Sequence, residues 1–285
     1  MKQSQYKRYT RSKVGSGAAL FFLIIAGLFT LLPLIYSVCT SFKPLEELLV
    51  FPPKFFVTRP TLQNYLELPT IIASLSVPLS RYVFNSVFVS GVTTFLHVII
   101  ASMAAFVMSK GRYKWLGAVF FAVQISLLYN HYTLAIPQYI IFSKIQIVDT
   151  YLVYILPYLP STLGVFLIKQ YMDGSVPDAL IEAAYIDGAS DIRIFWSIVM
   201  PVSKPAWMTL ILFSFRDLWS MQPQGTIFTE ELKLLPNVMS TITAGGIARS
   251  GSAMAATVIL MIPPIIVYMV SQSNVMETMS TAGIK

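Results

Sequence analysis

Apolar residues recur along this chain in runs too long for the helices of a soluble domain, and polar residues collect between them. Windows of high hydropathy fall at 17–41, 82–109, 115–142, 150–171, 205–221 and 253–271. Each is near or above the roughly 20 helical residues that cross about 30 Å of hydrocarbon. The pattern predicts an all-α membrane protein with about six transmembrane helices: a tail over 1–16, a six-span domain over 17–271 and a second tail over 272–285. Pro33, Pro137, Pro157, Pro160, Pro263 and Pro264 lie in or beside the spans. They predict kinks or broken turns, which a bundle tolerates when neighbours bond the freed carbonyls.

One polar interruption, 173–204, carries helix signals of its own. Ser175, Pro177 and Asp178 read as a helix start, because proline fits the first turn and an acid there favours the dipole. The helix should run to about Asp187, with Gly188 supplying a left-handed stop. Ser190 can cap a second helix, in which Ile192, Phe195, Trp196 and Val199 form one apolar stripe before Pro201 ends it. Asp178 and Glu182 share a face at i, i+4, and Leu180, Ala183, Ala184 and Asp187 fall on another. Like charges so placed are unfavourable unless something basic meets them, and the alanines admit a partner's backbone closely. These features fit either a solvated amphipathic loop or a docking element.

Composition narrows the classes. Only 12% of the residues are charged, against about 25% in soluble domains, too few to cover a globular surface. The net charge of +7 is dispersed between apolar runs with no aromatic-interleaved stripe, which argues against nucleic acid as a partner. With the N-terminus inside, twelve Lys and Arg lie in inner segments and seven in outer ones. The excess places both termini and the 173–204 loop in the cytoplasm. The basic N-terminus followed by an apolar run at 18–38 has the look of a secretory signal. That run exceeds the roughly 7–15 apolar residues of a signal peptide, and Tyr36-Ser37-Val38 is a poor cleavage context, so a retained first span is expected. Cys39 is the single cysteine, which excludes an internal disulfide, and the scarcity of Cys and His predicts no metal site. The outer segments 42–81 and 222–252 either receive an external partner or merely connect helices.

The spacing Glu182-Ala183-Ala184, three residues, Gly188, nine residues, Ile198, Val199, Met200, Pro201 resembles the EAA signature of the membrane subunits of binding-protein-dependent ABC importers, EAA-x3-G-x9-I-x-L-P. Met200 stands where the signature has leucine, a volume-conserving exchange. Over nearly its full length the chain is similar to the carbohydrate-uptake permeases, in particular the smaller subunit of maltose-type pairs. Asn64-Tyr65, Asn85-Ser86 and the ending Thr281-Ala282-Gly283-Ile284-Lys285 also have that group's form. The resemblance implies the type I ABC importer fold in a bacterial inner membrane, with Glu182, Ala183, Ala184, Asp187, Gly188, Ile198 and Pro201 in a cytoplasmic coupling element. Implied partners are a second permease subunit, a pair of cytoplasmic ATPase subunits, an extracytoplasmic solute-binding protein and a carbohydrate. Glu182 would face a basic residue of the ATPase, and the C-terminal tail would touch the same subunit. No GxxxxGK[ST] phosphate loop occurs, so no catalytic residue or cofactor is expected here; ATP and Mg belong to the ATPase.

Within the fifth span Arg216 and Asp217 are costly, about 2.5–3.5 kcal/mol each at a helix centre. They must meet protein or water, either on a solute pathway or between helices. Related permeases often carry Trp-Asn near this point, so Arg216-Asp217 is a departure. Arg216 suits a carboxylate-bearing sugar, and the surroundings, with Trp219 and Glu230-Glu231-Leu232-Lys233, resemble aldouronate- or pectin-type permeases. Tyr129, Asn130 and His131, with Tyr132, offer sugar stacking or interfacial anchoring. His97 is expected to bond within the bundle. An ion-coupled secondary carrier is the alternative class, and Asp217 is the acid it would use.

Overall fold

The computed structural model describes residues 13–73, 77–129, 131–160, 162–222, 225–243, 246 and 249–282, and among them there is helix and no strand. The elements are α1 Lys13–Ser41, α2 Leu45–Leu48, α3 Gln63–Ala73, α4 Leu79–Lys110, α5 Leu116–Ser126, α6 His131–Lys144, α7 Leu152–Ile155, α8 Thr162–Ser175, α9 Asp178–Ile186, α10 Asp191–Ile194, α11 Met200–Val202, α12 Lys204–Trp219, α13 Leu235–Thr243 and α14 Ser250–Ala282. Four stretches among the described residues are long and apolar enough to cross a membrane, at Gly17–Ser41, Leu79–Lys110, Leu152–Ser175 and Ser250–Val275. Residues 191–202 and 204–219 make a fifth only if counted together, and they meet at 79°.

The sequence placed one span over 115–142, and the structure breaks it. α5 has 11 residues, about 17 Å of helix, too short to cross alone. Its end tightens into i→i−3 bonds from Leu127, Leu128 and Tyr129 to Gln124, Ile125 and Ser126, the usual fraying geometry of a last turn. A hydropathy window averages over the polar aromatic cluster that follows and does not register the stop. In the span expected at 150–171, α7 passes into a 3-10 turn over Leu156–Tyr158, where Pro157 lies, and α8 is described from Thr162. α14 is continuous, with Pro263 and Pro264 inside it, and extends over most of the expected C-terminal tail.

The chain divides into two compact units, one of residues 1–68 with 242–259 and one of 69–241 with 260–285. In the first, α1 is apolar on every side, with Phe21, Phe22 and Phe29 exposed, as suits a helix surrounded by lipid or other helices. The Asn64-Tyr65 pair closes the end of α1. Asn64 Nδ2 donates to the Ser41 and Lys43 carbonyls, 2.8 Å each, and the Tyr65 hydroxyl lies 2.8 Å from Ser41 Oγ. A Cβ on Gly251 would stand 2.5 Å from Asn64 Oδ1, so only glycine leaves this amide room.

The second unit is organised around α4, which packs on α8 and α12. Its buried stripe is small and polar: Ser86, Ser90, Thr93, His97, Ala101 and Ala105, residue types that let membrane helices approach closely. α8 answers with Gly164, where a Cβ would sit 2.7 Å from His97 Nε2 and 2.9 Å from Leu210 Cδ2. His97 Nδ1 meets the Leu159 carbonyl at 3.3 Å. The histidine therefore serves the broken turn of the fourth span, the within-bundle role its burial demands.

Candidate functional site

α9 emerges from α8 through Val176 and Pro177, and its start is anchored to the end of α4. Lys110 Nζ reaches both Asp178 Oδ1, at 2.6 Å, and the Val176 carbonyl, at 2.7 Å. Its stem is buried while Asp178 stays exposed, the arrangement expected of a long cationic side chain. Beside it Ser109 Oγ and Lys169 Nζ both donate to Asp173, at 2.6 Å each. The acidic face read from the sequence is therefore divided. Asp178 is paired, while Glu182 is exposed with no hydrogen bond or ion pair among the described residues. Lys110 lies 68 residues from Asp178 and registers in the sequence only as a topology signal.

The end of α9 follows the local signals. Gly188 has φ +77°, its N–H donates to the Tyr185 carbonyl, and the Ala189 N–H donates to the Ala184 carbonyl, 3.0 Å each. This pair of bonds is a Schellman motif, with glycine where a Cβ would be strained. The alanines part company: Ala184 is buried with Ile181 against Ile194 and Phe195, and Ala183 faces out with Glu182 and Asp187. Ile186 is 87% exposed and Ile192 71%, a bare isoleucine at the end of α9 and another in α10.

Ser190 caps α10 by accepting the Arg193 N–H at 3.4 Å. The Tyr185 hydroxyl donates to Asp191 Oδ1 at 2.6 Å, joining the two helices across the turn. That bond, then burial and the nearby charge, raise the tyrosine pKa above its ordinary value. Beyond Ile194 the winding widens into a π turn over Phe195–Val199, in which the Met200 N–H reaches back to the Phe195 carbonyl. The apolar stripe expected here is accordingly corrected. Ile194, Phe195 and Val199 are buried, Ile192 is bare and Trp196 is half exposed, because five-residue bonds shift the buried side away from a 3.6-residue stripe. Phe195 anchors the element, with its ring 5.9 Å from that of Phe106; Ile198 packs at the edge of the same cluster. Pro201 lies inside α11, and the helix ends at Ser203, where the chain turns by 79° into α12.

Trp219 is 4% exposed, donates its indole N–H to the Leu260 carbonyl at 3.0 Å and stacks on Phe215. Within this chain it is an internal packing residue. Arg216 and Asp217 are exposed in this chain, and Asp217 acts electrostatically on Tyr158 at the broken turn of the fourth span. Tyr129 is exposed at the end of α5. Asn130 and the side chain of His131 lie outside the described residues.

Sequence reasoning missed a polar clamp at the other end of α4. Asn85 Nδ2 donates to the Glu231 and Lys233 carbonyls, at 2.8 and 3.0 Å, and Asn85 Oδ1 accepts from the Tyr151 hydroxyl at 2.6 Å. Ser86 Oγ accepts the Leu235 N–H at 2.8 Å, the Tyr82 hydroxyl donates to Glu230 at 2.9 Å, and that of Tyr154 donates to the Leu232 carbonyl at 3.1 Å. Asp149 completes the clamp by accepting the Phe228 and Thr229 N–H groups at 2.9 Å each. The Thr229 hydroxyl and these amides hold its carboxyl below the ordinary aspartate pKa, against the effect of burial. The only signal was Asn85-Ser86 itself, two polar residues in an apolar window. Among the described residues no group of three His, Cys, Asp or Glu is placed to hold a metal.

The family profile of binding-protein-dependent transport system inner membrane components matches residues 59–280. The chain is 27% identical to the inner membrane ABC transporter permease protein YcjP of Escherichia coli, covering 97% of this chain and 98% of that one. It is 25% identical to the arabinooligosaccharides transport system permease protein AraQ of Halalkalibacterium halodurans, covering 89% and 90%. It is 27% identical to the sulfoquinovosyl glycerol transport system permease protein SmoH of Agrobacterium fabrum, covering 92% and 90%. Its fold is that of a chain in a bacterial ABC transporter involved in import of the acidic polysaccharide alginate, with TM-score 0.77, 21% identity and coverage of 93% and 98%.

Proposed function

Since the chain belongs to the family of binding-protein-dependent transport system inner membrane components, we propose that it forms half of the translocation pathway of a carbohydrate importer. It pairs with a second permease subunit and is driven by two cytoplasmic ATPase subunits, which carry the ATP and Mg. A solute-binding protein delivers the sugar on the outer side. The observation that carries this reading is the exposed face of α9: an unpaired Glu182 with a bare Ile186 one turn on, on a helix fixed to α4 by Lys110 and stopped by Gly188, and a second bare isoleucine, Ile192, on α10 beyond the turn. A free carboxylate beside exposed apolar side chains is the form of half an interface, complementary to a cleft with a basic residue. From that face the chain continues through the π turn and the 79° bend into α12, so a pull on α9 is passed to a span. The relatives' names support a sugar as the cargo, and the family match removes the ground for an ion-coupled carrier.

The test is to purify the chain under mild conditions with its accompanying proteins. Expected are an ATPase and a second permease in fixed ratio, with ATP hydrolysis stimulated by a loaded binding protein. A chain that transports sugar without an ATPase overturns the reading.

The cargo is further inferred to bear a carboxylate. Arg216 is exposed with no ion pair or hydrogen bond among the described residues, and a guanidinium grips carboxylates in a two-pronged fork. Arg216→Leu should depress uptake of uronate oligosaccharides roughly tenfold more than that of neutral ones, the weight of one charge-assisted bond. Equal depression of both removes this refinement.

A further inference from the structure

An open groove of about 660 Å³ runs between α4, the π turn and α12, within the roughly 300–1,000 Å³ of small-molecule sites. Phe95 and Val98 of α4, Trp207, and Phe215 of α12 give it an almost wholly apolar wall, and no acidic side chain lines it. Its mouth lies at the bend between the loop and α12, where Trp196 and Lys204 stand exposed. Trp207 spends its indole N–H on the Met200 carbonyl, at 2.9 Å. Neither the Lys204 ammonium nor the Trp196 N–H has a partner among the described residues.

We propose that this groove binds one acyl chain of an anionic phospholipid, with its phosphate held by Lys204 and Trp196. Three features converge on that occupant. Away from Trp196 and Lys204 the lining's one hydroxyl, that of Thr94, has its oxygen buried, and the Trp207 N–H is already bonded, so little is left to orient a sugar or nucleotide and the complement is a hydrocarbon chain. The two unpartnered donors both come from the segment around the bend, Trp196 from the π turn and Lys204 from the first residue of α12, and the α4 and later α12 residues leave the rest of the lining apolar. Tryptophan and lysine at a loop-to-span boundary occupy the headgroup level of a leaflet, where the indole is amphipathic and the ammonium reaches the polar layer. The lipid belongs to the leaflet that the 173–204 loop faces, whichever side of the membrane that is. Because the groove is walled by the π turn and α12, the bound chain fills the concave side of the bend through which α9 joins its span.

The experiment places the purified chain, with its accompanying subunits, in phosphatidylcholine nanodiscs doped with a small fraction of photoactivatable lipid. Phosphatidylglycerol or phosphatidylcholine carrying a diazirine in one acyl chain is irradiated, and labelled peptides are mapped. Phosphatidylglycerol should label residues 91–99 and 207–215 about fivefold more than phosphatidylcholine, the weight of one cation near an anionic headgroup. Lys204→Ala should abolish that preference. Gly91→Leu should lower labelling by both lipids, because Gly91 lines the groove and a Cβ there meets nothing within 4 Å. Equal labelling of the wild type by the two lipids overturns the proposal. So does an unlabelled groove beside labelled α1 peptides, which would mean that another subunit covers it. If a variant is not recovered, the wild-type comparison of the two lipids decides. The readout is binding on this chain alone, so it stands or falls apart from any ATPase coupling.

Discussion

The two ends of α4 hold their neighbouring segments in opposite ways. At the Lys110 end one cation grips the start of α9, and the far side of that helix is left bare, with Glu182 unpaired and Ile186 almost fully exposed. At the Asn85 end the segment over 230–235 is tied down: its backbone groups are taken by Asn85, Ser86 and Tyr154, the Glu230 carboxylate by Tyr82, and Leu234 and Leu235 are buried. The first end is an interface with one side missing. The second is finished, and its polar groups find partners within the chain because unpaired they would be costly.

The contrast predicts a double dissociation. Glu182→Lys should reduce ATP-driven uptake by more than roughly tenfold, since losing one partner of a buried charge pair costs about 2–5 kcal/mol. The same change should leave the thermal stability of the isolated chain unaltered, because the carboxylate supports nothing within it. Transport assays beside a thermal melt measure both. A destabilised chain, or undiminished coupling, would show that the acid is structural and erase the difference between the two ends.

Asn85→Leu should do the reverse. The Glu231 and Lys233 carbonyls and the Tyr151 hydroxyl, all in part-buried bonds, lose their partner, and the low end of the roughly 1–3 kcal/mol for an unsatisfied group applies because water can reach them in part. The expected result is a lowered melting temperature and faster hydrogen exchange over 226–235, with ATPase subunits still bound. Wild-type exchange there, or selective loss of the ATPase, would put the finished end in the wrong place.

What could be read in the sequence divides along the same line. The stop at Gly188, the cap at Ser190 and the EAA spacing are local, set by residues a few positions apart, and the sequence carries them in full. Lys110 and Asn85 act across 68 and about 150 positions, and their partners include backbone carbonyls, which have no letter in a sequence. Two further departures have a different origin. A stripe drawn at 3.6 residues fails at Phe195–Val199 because the helix there has π winding. The expected third span breaks after Ser126 because averaging hydropathy treats 127–132 as part of the apolar run around it. The burial of Trp219 adds a third kind: its type suits a sugar site, and the partners that bury it, Phe215 and the Leu260 carbonyl, are a ring one turn away and a backbone atom that the sequence does not mark.

The smallest effect expected concerns Asp149, whose carboxylate ties 226–229 to the turn before α7. Its pKa is lowered from 3.8 in the folded chain, so folding favours the ionised form. The stabilisation is therefore fully present above 3.8 and is lost as pH falls through the lower, folded value. At neutral pH the Phe228 and Thr229 amides should be protected from exchange, and below the folded pKa that protection should fall towards the level of Asp149→Asn. The asparagine keeps one acceptor oxygen, so its own protection should not change over the same range. Since the site is nearly open to solvent, screening keeps the effect small. Protection that stays flat with pH in the wild type would mean that neutral hydrogen bonds alone hold this corner. The clamp would then be uniform from Tyr82 to Asp149, and Lys110 would mark the one end of α4 where charge decides the geometry.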